Sequence, residues 1–121
     1  MLLISRSEID DRVVDAVNSF LTSIATRYDI HSVWLFGSRA RRTSYAESDV
    51  DLAIIVREMN GNAVSVASDM LDEALEVLID TGVNINALPI TLQDWRMPDA
   101  ANAELIAEIK QHGRAIAHGD R

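Results

Sequence analysis

The chain has 121 residues, 48% of them hydrophobic, which suits one compact domain over 1–121 and is too short for two full domains. Its net charge of −8 argues against an extended nucleic-acid-binding surface, because such affinity comes from clustered lysines and arginines. It contains no cysteine and no apolar run of the ~18 residues that a membrane span needs, so we expect a cytoplasmic protein with no membrane partner.

Hydrophobic periodicity divides the first half of the chain into a helix and two strands. Apolar residues at three- and four-residue steps predict an amphipathic helix from Ser7 to near Tyr28. The β-prone run 31–36 predicts a strand that stops at Gly37. After an arginine-rich segment that we expect to begin as a short helix, the run 50–56 predicts a second strand. Its nearly continuous apolar character indicates burial on both faces.

The middle of the chain predicts a second helix and a third strand. A break at Asn60-Gly61 precedes an amphipathic pattern over 63–79, which Thr81-Gly82 closes in the way that many helices end on glycine. We expect the acids of this helix on a solvated outer face. The run 83–90 predicts a strand, and because Pro89 lacks the N–H of a ladder hydrogen bond, that strand ends there or lies at a sheet edge.

The last thirty residues predict a helical turn, a helix and a short strand. We expect the turn within 91–99, the helix over 100–111 with Gly113 as its stop, and the strand over 114–117. The alternation of helices and strands predicts an α/β fold with few strands. The apolar faces of the first and last helices can be buried within the domain or against another copy, so the pattern leaves a homo-oligomer open.

A basic segment followed by two aspartates interrupts this acidic chain. Arg39, Arg41 and Arg42 are three of its eleven basic residues and fall within four positions. Asp49 and Asp51 follow, two apart on a predicted strand, so their carboxylates lie on one face about 6.5 Å apart at the backbone. Carboxylates at this spacing suit a hard cation such as Mg²⁺, which also takes substrate phosphate oxygens.

The residues before the arginines have the chemistry of a phosphate cradle. Gly37 lets the backbone approach a ligand closely, and the Ser38 hydroxyl can donate a hydrogen bond. Arg39 and Arg42 are three apart and share a face of one helical turn, where both can address a triphosphate; Arg41 points more to one side. The alternative is a solvated arginine face paired with nearby acids.

The spacing Gly37-Ser38, ten residues, then Asp49-Val50-Asp51 resembles the signature of the DNA polymerase β-type nucleotidyltransferase superfamily. The local sequence "GSRAR…SDVDL" is similar to its minimal nucleotidyltransferase (MNT) branch, and the segments "TGVNINALPITLQDW" and "ELIAEIKQHGRAI" resemble the tail of its small stand-alone members. This resemblance implies a small mixed β-sheet flanked by helices, a palm-like nucleotidyltransferase fold. It implies nucleotide binding at Gly37 and Ser38, with Asp49 and Asp51 as the catalytic metal ligands.

The resemblance also implies an activity and a partner. Active members transfer a nucleoside monophosphate to a hydroxyl and release pyrophosphate, so we expect Mg²⁺ (or Mn²⁺) and a nucleoside triphosphate, with ATP the first choice. Several minimal members are antitoxins of a HEPN-domain toxin, and some add AMP to a tyrosine of that partner. We therefore expect the antitoxin of a HEPN/MNT toxin–antitoxin pair.

Two departures from the family pattern bear on activity. The family's third carboxylate lies on a later strand, where this chain has Asn84 and Asn86 and no acid. Asn86 is the first choice for the equivalent position and Asn84 the second, although both also fit the role of polar residues on an open sheet face. An amide cannot take a proton from a hydroxyl. In addition, Arg42 stands where related motifs often have glycine. The alternative function is a weak or inactive nucleotide-binding protein that neutralises its partner by binding.

Overall fold

Helices and strands both build the fold, as the sequence predicts. A computed structural model describes residues 11–37, 49–59 and 62–118. Its elements are α1 (Asp11–Ile24), β1 (Ile30–Phe36), β2 (Val50–Val56), α2 (Ala63–Thr81), β3 (Ile85–Thr91), α3 (Leu92–Arg96), α4 (Ala103–His112) and β4 (Arg114–His118). The expected short helix after Gly37 and the expected break at Asn60-Gly61 lie outside the described residues.

The four strands form one mixed sheet in the order β3-β2-β1-β4. β1 is antiparallel to both β2 and β4, whereas β2 and β3 are parallel. The prediction of an α/β fold with a small mixed sheet is confirmed. β3 lies at an edge, as Pro89 predicts, and β2 lies in the interior of the sheet with helices on both faces.

Two hydrophobic clusters cover the two faces of the sheet. The large core joins α1 and α2 to all four strands, and the small core joins α3 and α4 to β2 and β3. Because side chains alternate along a strand, Leu52 and Ile54 of β2 enter the large core while Ala53 and Ile55 enter the small core. Burial of β2 on both faces is therefore confirmed, and Asp51 lies on the small-core face.

Defined caps set both ends of α2. The Asn62 side chain accepts a hydrogen bond from the Ser65 N–H at 2.8 Å, which satisfies one of the free donors of the first turn. At the other end, Gly82 adopts φ 77° and its N–H bonds to the Leu78 carbonyl at 2.8 Å. Glycine tolerates this left-handed conformation at little cost. The predicted closure at Thr81-Gly82 is confirmed, with the helix running two residues beyond 79.

Other boundaries differ from the predicted ones by a few residues. The described part of α1 ends at Ile24, four residues before Tyr28, and a turn follows in which the N–H groups of Arg27 and Tyr28 both bond to the Ile24 carbonyl. β3 begins two residues later than predicted and ends at Thr91, whose hydroxyl accepts from the Asp94 N–H and caps α3. α4 begins at Ala103, after a turn in which Asp99 accepts from the Asn102 N–H.

The acids of α2 are not all solvated, contrary to the expectation of a solvated outer face. Asp69 accepts a 2.6 Å hydrogen bond from the Tyr28 hydroxyl and lies 3.3 Å from the Arg27 guanidinium. Glu73 accepts from Arg27 at 3.2 Å. Burial, together with the bond and charge of Asp69, raises the pKa of Tyr28 to about 12. These contacts fasten the turn after α1 to α2.

Within the described ranges, no helix has both the length and the apolar character required to cross a membrane.

Candidate functional site

Two aspartates lie at the start of the interior strand, on the small-core face. Asp49 directly precedes β2 and is exposed, whereas Asp51 is the second residue of β2 and is half-buried. In the sheet register, Asp51 lies opposite Phe36 of β1 and Asn86 of β3. The strand pleat therefore turns both carboxylates toward one side of the sheet, as their spacing predicts.

Two asparagines from the neighbouring parallel strand bind these carboxylates. Asn84 donates from Nδ2 to Asp49 Oδ1 at 2.9 Å, and Asn86 donates from Nδ2 to Asp49 Oδ2 at 3.0 Å. Asn86 also lies 3.3 Å from Asp51 Oδ1, so its amide bridges the two acids. We call Asp49, Asp51, Asn84 and Asn86 the Asp–Asn cluster. Its N–H donors offset the repulsion between two like charges.

The backbone fixes the two halves of this cluster relative to each other. The Val50 N–H donates to the Asn84 carbonyl at 2.9 Å, which extends the parallel pairing one step before β3 begins. Asn86 stands directly opposite Asp51 in the same ladder. Both asparagines thus face the acids because the register of β2 and β3 requires it.

Gly37 closes the site from the end of β1. It has φ 75°, in the left-handed region that favours glycine, and a Cβ built on it would collide with Asp51 Oδ2. Gly82 has nearly the same φ of 77°, but its Cβ would meet only Arg12 Nη2 at an ordinary 3.5 Å. Gly37 is therefore required for space as well as for conformation. The sequence signals a close approach at Gly37, but the group that approaches it in the structure is Asp51.

The structure describes some of the predicted site residues and not others. Ser38, Arg39 and Arg42, and with them Arg41, lie outside the described residues. Those that are described, namely Gly37, Asp49, Asp51 and Asn86, come together at one end of the sheet. Asn84, the second choice for the position of the third acid, joins them.

A protein-family model described as polymerase beta nucleotidyltransferase matches residues 20–121, most of the chain. The chain belongs to this nucleotidyltransferase family. The resemblance inferred from the Gly-Ser and Asp-x-Asp motifs is confirmed.

One curated relative of this nucleotidyltransferase is "Putative protein adenylyltransferase MJ1305" of Methanocaldococcus jannaschii. The two are 28% identical over 89 residues, which cover 71% of this chain and 60% of the relative. The chain thus spans less than two thirds of that relative's length.

Two solved structures have the same fold as this nucleotidyltransferase. A toxin–antitoxin crystallised with AMP-PNP aligns with a TM-score of 0.58 at 14% identity, over 88% of this chain and 72% of that one. A mutant of the toxin–antitoxin MntA–HpeT aligns with a TM-score of 0.56 at 14% identity, over 88% and 73% of the two chains. At this identity the likeness shows the fold.

The donor set at the Asp–Asn cluster suits a hard divalent cation in a nucleotidyltransferase. Asp49 and Asp51 offer four carboxylate oxygens, and Mg²⁺ commonly binds one or two protein carboxylates together with water and substrate phosphates. Across 11–37, 49–59 and 62–118, no group of three or more His, Cys, Asp or Glu side chains is placed to hold a metal. Among the residues that the structure describes, Asp49 and Asp51 are thus the carboxylates of this cluster.

His31, the second residue of β1, belongs to a small hydrogen-bonded group in this nucleotidyltransferase. His31 Nδ1 lies 3.0 Å from the Ser32 hydroxyl, which accepts from Trp34 Nε1 at 3.3 Å. Burial lowers the pKa of His31, and the positive charges of Arg57 and Arg96 lower it further. Trp34 in turn packs against Trp95 with ring centroids 5.2 Å apart, which joins α3 to the sheet.

Proposed function

We propose that the protein is a metal-dependent nucleotidyltransferase that transfers AMP from ATP to a hydroxyl of a protein partner. We further propose that it is the cytoplasmic antitoxin of a pair whose toxin is a HEPN-domain protein. The observation that carries the proposal is the pair of carboxylates on one strand face with Gly37 packed against one of them. The nucleotidyltransferase family, the adenylyltransferase relative and the toxin–antitoxin structures with this fold support it.

In this proposal Asp49 and Asp51 would hold Mg²⁺, which when bound would offset the negative charge of the triphosphate. Gly37, which has no Cβ, allows the backbone to come close to the nucleotide. Ser38, Arg39 and Arg42 bind its phosphates through hydrogen bonds and charge. A bond forms between the acceptor oxygen and the α-phosphorus while the bond from the α-phosphorus to the oxygen of the β-phosphate breaks, so that pyrophosphate leaves and the hydroxyl proton passes to water.

A second candidate function rests on Asn86. It stands opposite Asp51 in the sheet and directs N–H donors at both acids, and an amide cannot remove the acceptor's proton. This arrangement favours a protein that binds nucleotide but transfers the nucleoside monophosphate slowly or not at all. Such a protein neutralises its partner by binding to it.

Calorimetric titration with ATP, with and without Mg²⁺, tests the nucleotide site. We expect magnesium-dependent binding that is lost in the double variant Asp49→Asn/Asp51→Asn. The matched control Glu104→Gln removes an exposed carboxylate charge from α4 and should bind as the wild type does. Equal binding by the double variant and the control would overturn the proposed site.

Incubation with ATP labelled at the α-phosphate, followed by measurement of label on a HEPN-domain partner, separates the two candidate functions. Label on the partner, absent with the double variant, supports the enzyme. Magnesium-dependent ATP binding without label on the partner supports the binding protein.

A further inference from the structure

The outer side of α2 exposes an apolar stripe. Val64 is 77% exposed, Leu71 57%, Leu75 47% and Ile79 82%. Leu71, Leu75 and Ile79 follow at four-residue steps and Val64 lies two turns before Leu71, so the four share one side of the helix. We call these residues the outer stripe.

The outer stripe is a second apolar face on a helix that is already packed. α2 buries Val66, Met70, Ala74 and Val77 against the sheet, and these residues supply its share of the large core. A helix packed on one side normally has charged or polar residues on the other. In the described part of the chain, the outer stripe is exposed apolar surface that the packing of α2 on the sheet does not use, which indicates an interaction surface.

A row of carboxylates borders the stripe on one side. Asp72, Glu76 and Asp80 each follow one stripe residue by a single position, which is a rotation of about 100° around the helix. All three are exposed. This acidic edge has the same four-residue repeat as the stripe, so the surface pairs an apolar line with a parallel line of negative charge.

The stripe leads toward the Asp–Asn cluster. α2 ends at Thr81, and the Thr81 hydroxyl accepts from the Val83 N–H at 3.1 Å in the turn that follows. The next residue, Asn84, donates to Asp49. Ile79 therefore lies at the end of the stripe that is nearer along the chain to the cluster, although α2 itself packs on the opposite face of the sheet.

The charge of the acidic edge selects between possible occupants. In a two-fold antiparallel pairing of two α2 helices, the acidic edges of both copies fall on the same side of the helix pair, where like charges repel. The chain's net charge of −8 adds to that repulsion. A partner helix with an apolar stripe bordered by lysine or arginine instead places positive charge beside the acidic edge.

We infer that the outer stripe and acidic edge of α2 form the docking surface for a basic amphipathic helix of a protein partner. The inference deepens the proposed function and rests on it for the existence of a protein acceptor. The chemistry of the surface rests on α2 alone.

Two designed helical peptides of about 20 residues test the surface. Both carry leucines at four-residue steps; in one, each leucine is bordered by lysine, and in the other by glutamate. Their binding to the full chain is measured by fluorescence anisotropy at low and high salt. We expect the lysine peptide to bind roughly tenfold or more tightly than the glutamate peptide, and to weaken as salt screens the charges.

Three variants make the test specific. Leu71→Ser/Ile79→Ser should abolish binding of the lysine peptide, and Glu76→Lys/Asp80→Lys should reverse the preference between the two peptides. Glu104→Lys, an exposed charge reversal on α4, should retain the wild-type preference. Urea midpoints confirm that each variant is folded, and the charge-reversal variant keeps the test decisive if the serine variant does not fold.

Three results would overturn the inference. They are failure of the lysine peptide to bind, equal binding of both peptides, and a concentration-dependent dimer that is lost in the serine variant. The last would assign the stripe to a second copy. ATP titration of the same samples distinguishes failure of the surface from failure of the nucleotide site, since the two lie on opposite faces of the sheet.

Discussion

The two faces of the sheet differ in how much apolar surface they bury and in the polar side chains they carry. The large-core face receives residues from α1, α2 and every strand, and Phe20, Leu21 and Ile24 have no exposed area. The small-core face buries only a few residues, and its strand starts carry the Asp–Asn cluster. Polar groups can converge on this face because apolar packing does not extend to that end of the sheet.

The difference implies that one face supplies most of the stability and the other carries the polar cluster. Burial of apolar area dominates folding free energy, so the large core supplies most of the stability. Two adjacent carboxylates oppose folding unless donors or cations compensate for their charge. The small-core face therefore gives up some stability for the Asp–Asn cluster, which is the metal site of the proposed function.

Truncation of the large core should give the largest effect. We expect Phe20→Ala to lower the free energy of unfolding by about 3–5 kcal/mol, because it removes a fully buried ring and leaves a cavity. Urea denaturation measures this loss. ATP affinity of the folded variant should not change, and a parallel drop in affinity under native conditions would show that the two faces are not independent.

A third acid in the cluster should have the next largest effect. Without divalent cations, we expect Asn86→Asp to lower stability by about 2–3 kcal/mol, because it replaces N–H donors to two carboxylates with a like charge. Added Mg²⁺ should restore much of this loss in thermal unfolding. Asn84→Asp is the matched control: it faces only Asp49, so its loss should be smaller, and equal losses would contradict the bridging role of Asn86.

The two glycines with positive φ provide a sharper comparison. Gly82→Ala should cost about 1 kcal/mol from backbone strain alone. Gly37→Ala carries the same strain and also displaces the Asp51 carboxylate, so we expect about 1–2 kcal/mol more loss together with weaker magnesium-dependent ATP binding. Urea midpoints and calorimetry on both variants measure these differences. Unchanged ATP binding in Gly37→Ala would show that Asp51 does not contribute to the nucleotide site.

The smallest effect concerns pH. Because the folded-state pKa of His31 is lowered, its contribution to stability is present above the unfolded value of about 6.5 and is lost as pH falls through that value toward the folded pKa. The melting temperature of the wild type should therefore fall as the buffer goes from neutral to mildly acidic. His31→Gln should show a shallower decline over the same range; an unchanged slope would assign the pH dependence to other groups.

The sequence predicts local elements of this fold well. The strand over 50–56 has the predicted bounds, because a short unbroken apolar run is typical of a strand that is buried on both faces. The closure of α2 at Gly82 and the edge position of β3 follow from the backbone chemistry of glycine and proline. Element ends were less predictable where a turn after the helix, as near Tyr28, continues its hydrogen bonding.

Contacts between distant residues could not be predicted in the same way. Arg27 reaches Glu73 across 46 positions, and Asn84 reaches Asp49 across 35. Periodicity describes each element separately and does not specify strand order or register, on which these contacts depend. The Asp-x-Asp spacing was sufficient to place Asp49 and Asp51 on one face, whereas the contact of Gly37 with Asp51 required the pairing of β1 with β2.

Pro89 lies within β3, whose seven residues form one border of the sheet. A border strand with free backbone groups can recruit strands from other molecules and begin aggregation. A proline in such a strand lacks one donor and holds its ring against an incoming strand, which makes this kind of growth unfavourable. At the high local concentrations met during synthesis, this single residue should favour solubility by directing association toward side-chain surfaces and away from backbone pairing along β3.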